Sequence, residues 1–193
     1  GRLDEAEASY TQAIALKPGY AEAHSNLGNT LKELGRFDEA EASYTQAIGL
    51  KPDYPQAHNN LGVTLHELGR FDEAEAIYQK AITLEPDYSE AHYNLGLTLK
   101  KFGRLEEAEA SFRRVIAMKP DFVEAHYNLG NTLRNLGRLD EAVASYNQAI
   151  EVKVDFASSY NNRNFCLNYF SSGSPLFIFE QHLKFGKQFG GLQ

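Results

Sequence analysis

The sequence predicts an all-α solenoid, in which pairs of antiparallel helices stack one pair on the next. Three observations predict it. Pro18, Pro52, Pro86 and Pro120 recur at one constant interval, and Gly28, Gly62, Gly96 and Gly130 share it. A fixed period between about 20 and 50 residues marks a repeat array. Each period holds two stretches whose apolar residues recur at helical spacing. The two stretches are punctuated differently: Gly35, Gly69, Gly103 and Gly137 close the first, and the prolines close the second. Glycine is the common residue just past a helix end, and proline cannot continue a helix.

Residues 1–18 match 35–52 and form half a repeat. Four full units follow at 21–54, 55–88, 89–122 and 123–156. In the first stretch of a unit, at about 100° per residue, His24, Leu27, Gly28, Leu31 and Leu34 share one side. Glu22, Asn26, Asn29 and Glu33 share the other. Gly28 and Ala40 are small where two helices must approach closely, and Tyr44, Ala47 and Ile48 give the second helix its packing stripe. The second stretch opens with acidic residues, which suit the positive end of a helix. Beyond 156 the pattern decays. Residues 157–170 read as a degenerate capping helix in which Arg163 and Asn164 replace Leu and Gly. Residues 171–193 read as a linker and the start of a truncated C-terminal region. The chain begins inside a repeat and is read as a fragment with both natural ends missing.

Leu27, Gly28, Ala40, Tyr44, Ala47 and Pro52 stand at the signature spacings of the tetratricopeptide repeat, a unit of about 34 residues, and residues 1–156 resemble that family throughout. Two departures stand out: His takes the place of a bulky aromatic at the fourth residue of each unit, and Val154 replaces a fifth proline. The resemblance implies a right-handed superhelical solenoid whose first helices line a concave groove that holds a protein or peptide.

Composition narrows the function. The net charge is −7 and no basic stripe is visible, which disfavours nucleic acid as a partner, since phosphate binding needs clustered Lys and Arg. No apolar run is long enough to span a membrane. Cys166 is the only cysteine, so no intrachain disulfide can form, in keeping with a reducing, cytoplasmic setting. No signal peptide or organic cofactor motif is visible, and the oligomeric state is not legible.

Asn26, Asn60, Asn94, Asn128 and Asn162 form an in-phase row opposite the packing stripe. An Asn amide both donates and accepts, so one rung per repeat could read the backbone of an extended peptide. The alternative is that each rung bonds a neighbouring repeat or water. Glu22, Glu90 and Glu124 share a second in-phase position, broken by Gln56. They read as acidic rungs for basic or hydroxyl-bearing side chains, or as solvated helix starts favoured by the dipole. His24, His58, His92 and His126 lie on the packing side. One repeat apart, they cannot converge at the ~2 Å that a zinc ion demands, so no metal site is expected. A carboxylate clamp built from Lys and Arg among Asn is not recognisable at the second and fifth residues of the units.

Six of the twelve phenylalanines fall from Phe165 onward. They read as a cap on the array or as a dock for a following domain. The stretch NRNFCLNY (162–169), with FIFEQHLKFGKQFG (177–190) after a short linker, resembles the junction in bacterial proteins similar to O-linked N-acetylglucosamine transferases. That resemblance implies that the array presents protein substrates to a catalytic region using UDP-N-acetylglucosamine, with the Asn and Glu rows as its substrate ladders. It implies that His182 is a histidine near that active site. The alternatives are an ordinary helix histidine, a free-standing adaptor, or an array fused to a different catalytic domain. The chain holds no nucleotide site of its own and is expected to be inactive alone.

Overall fold

The structure, a computed structural model, describes residues 1–168 and Leu183. The described residues form ten α-helices and no strand. In order they are α1 (Arg2–Leu16), α2 (Ala21–Glu33), α3 (Phe37–Leu50), α4 (Pro55–Glu67), α5 (Phe71–Leu84), α6 (Ser89–Lys101), α7 (Leu105–Met118), α8 (Val123–Asn135), α9 (Leu139–Val152) and α10 (Ala157–Asn168). Two helices fall in each full repeat. The fold is an all-α solenoid of helix pairs, as the periodicity predicts.

The chain divides into two compact units, Gly1–Thr98 and Leu99–Gln193, with the division inside α6. In the first unit, α2 packs on α3, α3 on α4 and α4 on α5. Its core joins Leu31, Ala40, Tyr44, Leu61, Leu65, Ala74 and Tyr78. In the second unit, α7 packs on α8, α8 on α9 and α9 on α10. There Phe112, Val115, Leu133, Tyr146 and Cys166 are fully buried.

Local chemistry explains the helix ends. Leu34, Leu68 and Leu136 cap the first helices in right-handed conformation, and Gly35, Gly69, Gly103 and Gly137 follow with φ of 74–75°. Around Gly35 the Arg36 N–H donates to the Leu31 carbonyl at 2.9 Å, and the Gly35 N–H donates to that of Lys32 at 3.0 Å. This paired closure satisfies carbonyls that the helix leaves open, and only glycine takes the left-handed turn without strain. The second helices start on Arg36, Arg70, Arg104 and Arg138, whose guanidinium groups grip the glutamate three residues on. Arg70 Nε and Nη2 each lie 2.7 Å from Glu73.

The small residues do what their size permits. A Cβ on Gly62 would sit 2.6 Å from the Tyr78 ring, and one on Gly130 would sit 2.6 Å from that of Tyr146. Glycine therefore lets the second helix lay its tyrosine across the backbone of the first. The four histidines also have packing roles. Each ring Nε2 pairs with the carbonyl of the proline six residues earlier: His24 with Pro18, His58 with Pro52 and His92 with Pro86 at 3.0 Å, and His126 with Pro120 at 2.8 Å. His58 and His126 are buried, His24 and His92 half-buried. No cluster that could hold a metal ion occurs among the described residues.

The first-helix face as candidate functional site

The asparagine row occupies the sixth position of each first helix. These side chains are half-buried, and Asn128 is buried. Their amides are partly engaged with neighbouring repeats. Asn60 Nδ2 donates to Asn29 Oδ1 at 2.9 Å, Asn94 Nδ2 to Asn59 Oδ1 at 3.0 Å, and Asn162 Nδ2 to Asn131 Oδ1 at 2.8 Å. Asn162 Nδ2 also reaches the Tyr127 hydroxyl at 3.2 Å. Asn128 Nδ2 donates to the Glu124 carbonyl at 3.0 Å, and Asn128 Oδ1 accepts from Lys100 Nζ at 2.7 Å. The Asn26 backbone carbonyl accepts the Thr30 hydroxyl at 3.0 Å.

The row is therefore a staple between repeats before it is anything else. An Asn side chain has two N–H donors and a two-lone-pair carbonyl, so Asn94, with one bond to a neighbour, keeps most of its capacity, while Asn60, which also accepts from Asn59 at 3.3 Å, and Asn162, whose amide has two partners, keep less. Asn29 and Asn131, at the ninth position, complete the staple. Each also accepts the hydroxyl of its own repeat's tyrosine: Tyr44 at 2.7 Å and Tyr146 at 2.9 Å. Burial pushes both tyrosine hydroxyls well above the ordinary range, which holds them protonated as donors.

Beside Asn94 in the first unit lies a pocket of about 110 Å³, lined by Val63, His66, Glu67, Tyr78, Asn94 and Leu97. Its walls combine the apolar Val63 and Leu97 and the Tyr78 ring with an amide, an imidazole and the Glu67 carboxylate. His66 is fixed there, with Nδ1 3.0 Å from the Thr98 hydroxyl and its ring edge-on to Phe71 at 4.9 Å.

The acidic row is unevenly committed. Glu22 pairs with Lys51 at 3.4 Å, and its carboxyl lies below the usual range through its backbone hydrogen bond and then the Lys51 contact. The Ser89 hydroxyl donates to Glu90 at 2.9 Å. Glu124 is exposed at the start of α8. His182 lies outside the described residues, as does the junction stretch beyond Asn168 apart from Leu183.

Sequence reasoning passed over a third row. Lys32, His66, Lys100 and Arg134 occupy the twelfth position of successive first helices, one repeat apart. The spacing alone carries the signal, at a position other than the second and fifth where a Lys and Arg clamp is expected. The second-helix side carries the opposite chemistry, with arginines held between carboxylates of two repeats. Arg36 reaches Glu39 at 2.6 Å and Glu7 at 2.7 Å; Arg70 reaches Glu41, and Arg138 reaches Glu109, at 2.6 Å. These hydrogen bonds hold the carboxyls of Glu39, Glu73, Glu107 and Glu141 below the usual carboxylate range.

Helix pairs stapled by amides on one side and by Arg–Glu clasps on the other define a helical-repeat scaffold. The chain belongs to the tetratricopeptide repeat family. A tetratricopeptide repeat model matches residues 25–91 and 93–159, and a TPR repeat model matches residues 1–35. No curated protein matches the chain. Among solved structures it is similar to MamA, at 27% identity and a TM-score of 0.74 over 80% of this chain and 91% of that one. It is similar to PilW, described as a widely conserved type IV pilus biogenesis factor, at 25% identity and 0.82 over 97% and 86%. It shares the fold of YrrB, described as a TPR protein with an unusual peptide-binding site, at 23% identity and 0.77 over 93% and 91%. No described helix is long and apolar enough to cross a membrane.

Proposed function

We propose that the chain is a peptide-binding scaffold whose first-helix face holds an extended segment of a partner protein. The observation that carries this reading is the pocket beside Asn94, where a partly engaged amide stands between Val63 and Leu97. In this reading Asn26, Asn60, Asn94, Asn128 and Asn162 meet the peptide backbone with the capacity their inter-repeat bonds leave over. Glu22, Glu90 and Glu124 meet basic or hydroxyl-bearing side chains at the helix starts. YrrB carries a peptide-binding site on the same fold. A cytoplasmic setting fits the single, buried Cys166.

The test is calorimetric titration of peptides selected from a random library against the intact chain. Replacing Asn60, Asn94 and Asn128 together by Ala should weaken capture at least tenfold. The bonds of Asn60 and Asn94 to neighbouring repeats are worth about 1 kcal/mol each and the charge-assisted bond from Lys100 to Asn128 about 1.5–3, so the melting temperature should fall by about 10 °C, and titrations are run well below it. Unchanged affinity in the triple variant ends the ladder reading.

A second reading rests on the sequence of residues 162–190 alone: the array presents substrates to a protein glycosyltransferase that takes UDP-N-acetylglucosamine as donor, with His182 near its centre. Transfer of the sugar to a captured protein by the natural full-length protein, lost in His182→Ala, would support it. Capture without transfer would leave a free-standing adaptor.

A further inference from the structure

Charge in the second unit is segregated by helix type. The first-helix segments 99–101, 123–135 and 157–168 carry Lys100, Lys101, Arg134 and Arg163 against the single acid Glu124. The second helices α7 and α9 carry six acids against Arg113 and Arg114. In a chain of net charge −7 the first-helix segments of this unit are thus positive, with Arg163 buried, Lys100 and Arg134 half-buried and Lys101 exposed.

Among these residues Lys100 and Arg134 stand apart. Both are half-buried, and neither has a carboxylate partner among the described residues, whereas Arg104, Arg113 and Arg138 all do. The Lys100 ammonium donates to Asn128 Oδ1 at 2.7 Å and keeps two further donors. The Arg134 guanidinium lies over the Phe165 ring, 5.7 Å from its centroid. This cation–π contact uses no N–H of the guanidinium, so the fork that suits a carboxylate is left for a ligand. Burial lowers the Lys100 pKa, and the neighbouring Arg134 charge lowers it further. Lys100 reaches α8 at Asn128, six residues or about 9 Å along the helix from Arg134, and two like charges that near and short of water are relieved when an anion joins them. Glu124 does not supply that anion. It starts α8, ten residues before Arg134, which is about 15 Å along a helix.

We propose that Lys100 and Arg134 form an anion-reading position that takes a side-chain carboxylate of an acidic peptide lying on the first-helix face. The inference rests on the peptide-scaffold reading and names its partner class: an extended segment rich in Asp or Glu. Asn128 serves both parts, as a rung of the row and as the acceptor that aims Lys100. The carboxylate bridges the ammonium and the guanidinium, and no proton or covalent bond is exchanged.

The test uses fluorescein-labelled dodecapeptide amides, whose amidation removes the terminal carboxylate. One alternates Glu and Ser, one Gln and Ser, one Lys and Ser. Fluorescence anisotropy against the whole chain should show the Glu peptide binding about tenfold or more tighter than the Gln peptide, charge-assisted bonds being the stronger kind. The Lys peptide should bind no better than the Gln peptide. In the double variant Lys100→Gln/Arg134→Gln, the Glu and Gln peptides should come within about twofold of each other. The charge-keeping variant Lys100→Arg/Arg134→Lys should retain a preference, and circular dichroism checks that both fold. Equal binding of the Glu and Gln peptides to the wild type overturns the inference. So does a preference that survives the Gln variant, or one that appears only when the C-terminus is left free. If both peptides bind equally and Asn60→Ala/Asn94→Ala weakens both, the scaffold reading stands without this site. If none of the peptides binds, the inference falls, and the library-selected peptides decide the scaffold reading separately.

Discussion

Replacing Gly62 by Ala isolates the contact that sets the spacing inside a repeat. The added Cβ would lie 2.6, 2.8 and 3.0 Å from Tyr78 Cε1, Cδ1 and Cζ. Ordinary carbon contacts lie at about 3.5–4.0 Å, so α4 and α5 must part by about 1 Å or the ring must move. Tyr78 is 1% exposed and belongs to the core of the first unit, and the pocket it lines beside Asn94 gives the ring only part of the room it needs. Overpacking of this kind costs about 1–3 kcal/mol, while Ala gains up to about 1 kcal/mol over Gly in a helix interior. The balance is a loss of about 1–2 kcal/mol, or about 2–8 °C in melting temperature for a chain of this size. Gly49 supplies the control. It is an exposed residue of α3, and a Cβ there would meet nothing within 4 Å, so Gly49→Ala should stabilise by up to about 1 kcal/mol. Thermal unfolding followed by circular dichroism reads both. A Gly62→Ala protein that melts at or above the wild type, with Gly49→Ala also raised, would refute the close-approach argument.

Other substitutions probe other joints. Gly69→Ala puts a side chain at φ of 75° and should cost about 1–2 kcal/mol, read as a lower urea midpoint; no change would mean the paired closure re-forms without glycine. Arg70→Ala removes a clasp to Glu73 and Glu41. Because the Glu73 carboxyl is held below its ordinary 4.5 when folded, the clasp contributes above that pH and fades as pH falls through the folded value. The gap in melting temperature between wild type and Arg70→Ala should thus be largest near neutrality, shrink in acid, and shrink in about 1 M salt; a gap constant with pH and salt would assign it to lost packing instead.

Most of the architecture was legible because it repeats. One constant period sets helix number, ends and faces at once, and Gly28, Tyr44 and Pro52 state the packing chemistry in residue types. The candidate site was legible only as a set of positions. Asn60 and Asn94 look alike in sequence, yet one donates to Asn29 and the other to Asn59. That choice depends on which polar oxygen the preceding repeat offers, Asn29 at its ninth position in one case and Asn59 at its fifth in the other, Val63 having none to give. Each partner lies a whole repeat away in sequence, beyond any local pattern. The histidines were placed on the packing side by periodicity, but their shared proline carbonyl is a tertiary contact. The basic twelfth position was written plainly in Lys32, His66, Lys100 and Arg134, but the bond from Lys100 to Asn128 and the place of Arg134 over the Phe165 ring are tertiary contacts that no spacing states.

The two acceptors open to the asparagine row also bear on how such a gene can grow. Excising residues 55–88 would bring Asn94 opposite Asn29, whose Oδ1 already serves Asn60 in the same register. Duplicating them would set a new Asn60 opposite Val63 and Asn59, the surroundings in which Asn94 is already satisfied. Either junction meets a partner the protein has used before. Unequal crossing-over at this unit can therefore lengthen or shorten the array by one repeat without stranding the amide of Asn60 or Asn94.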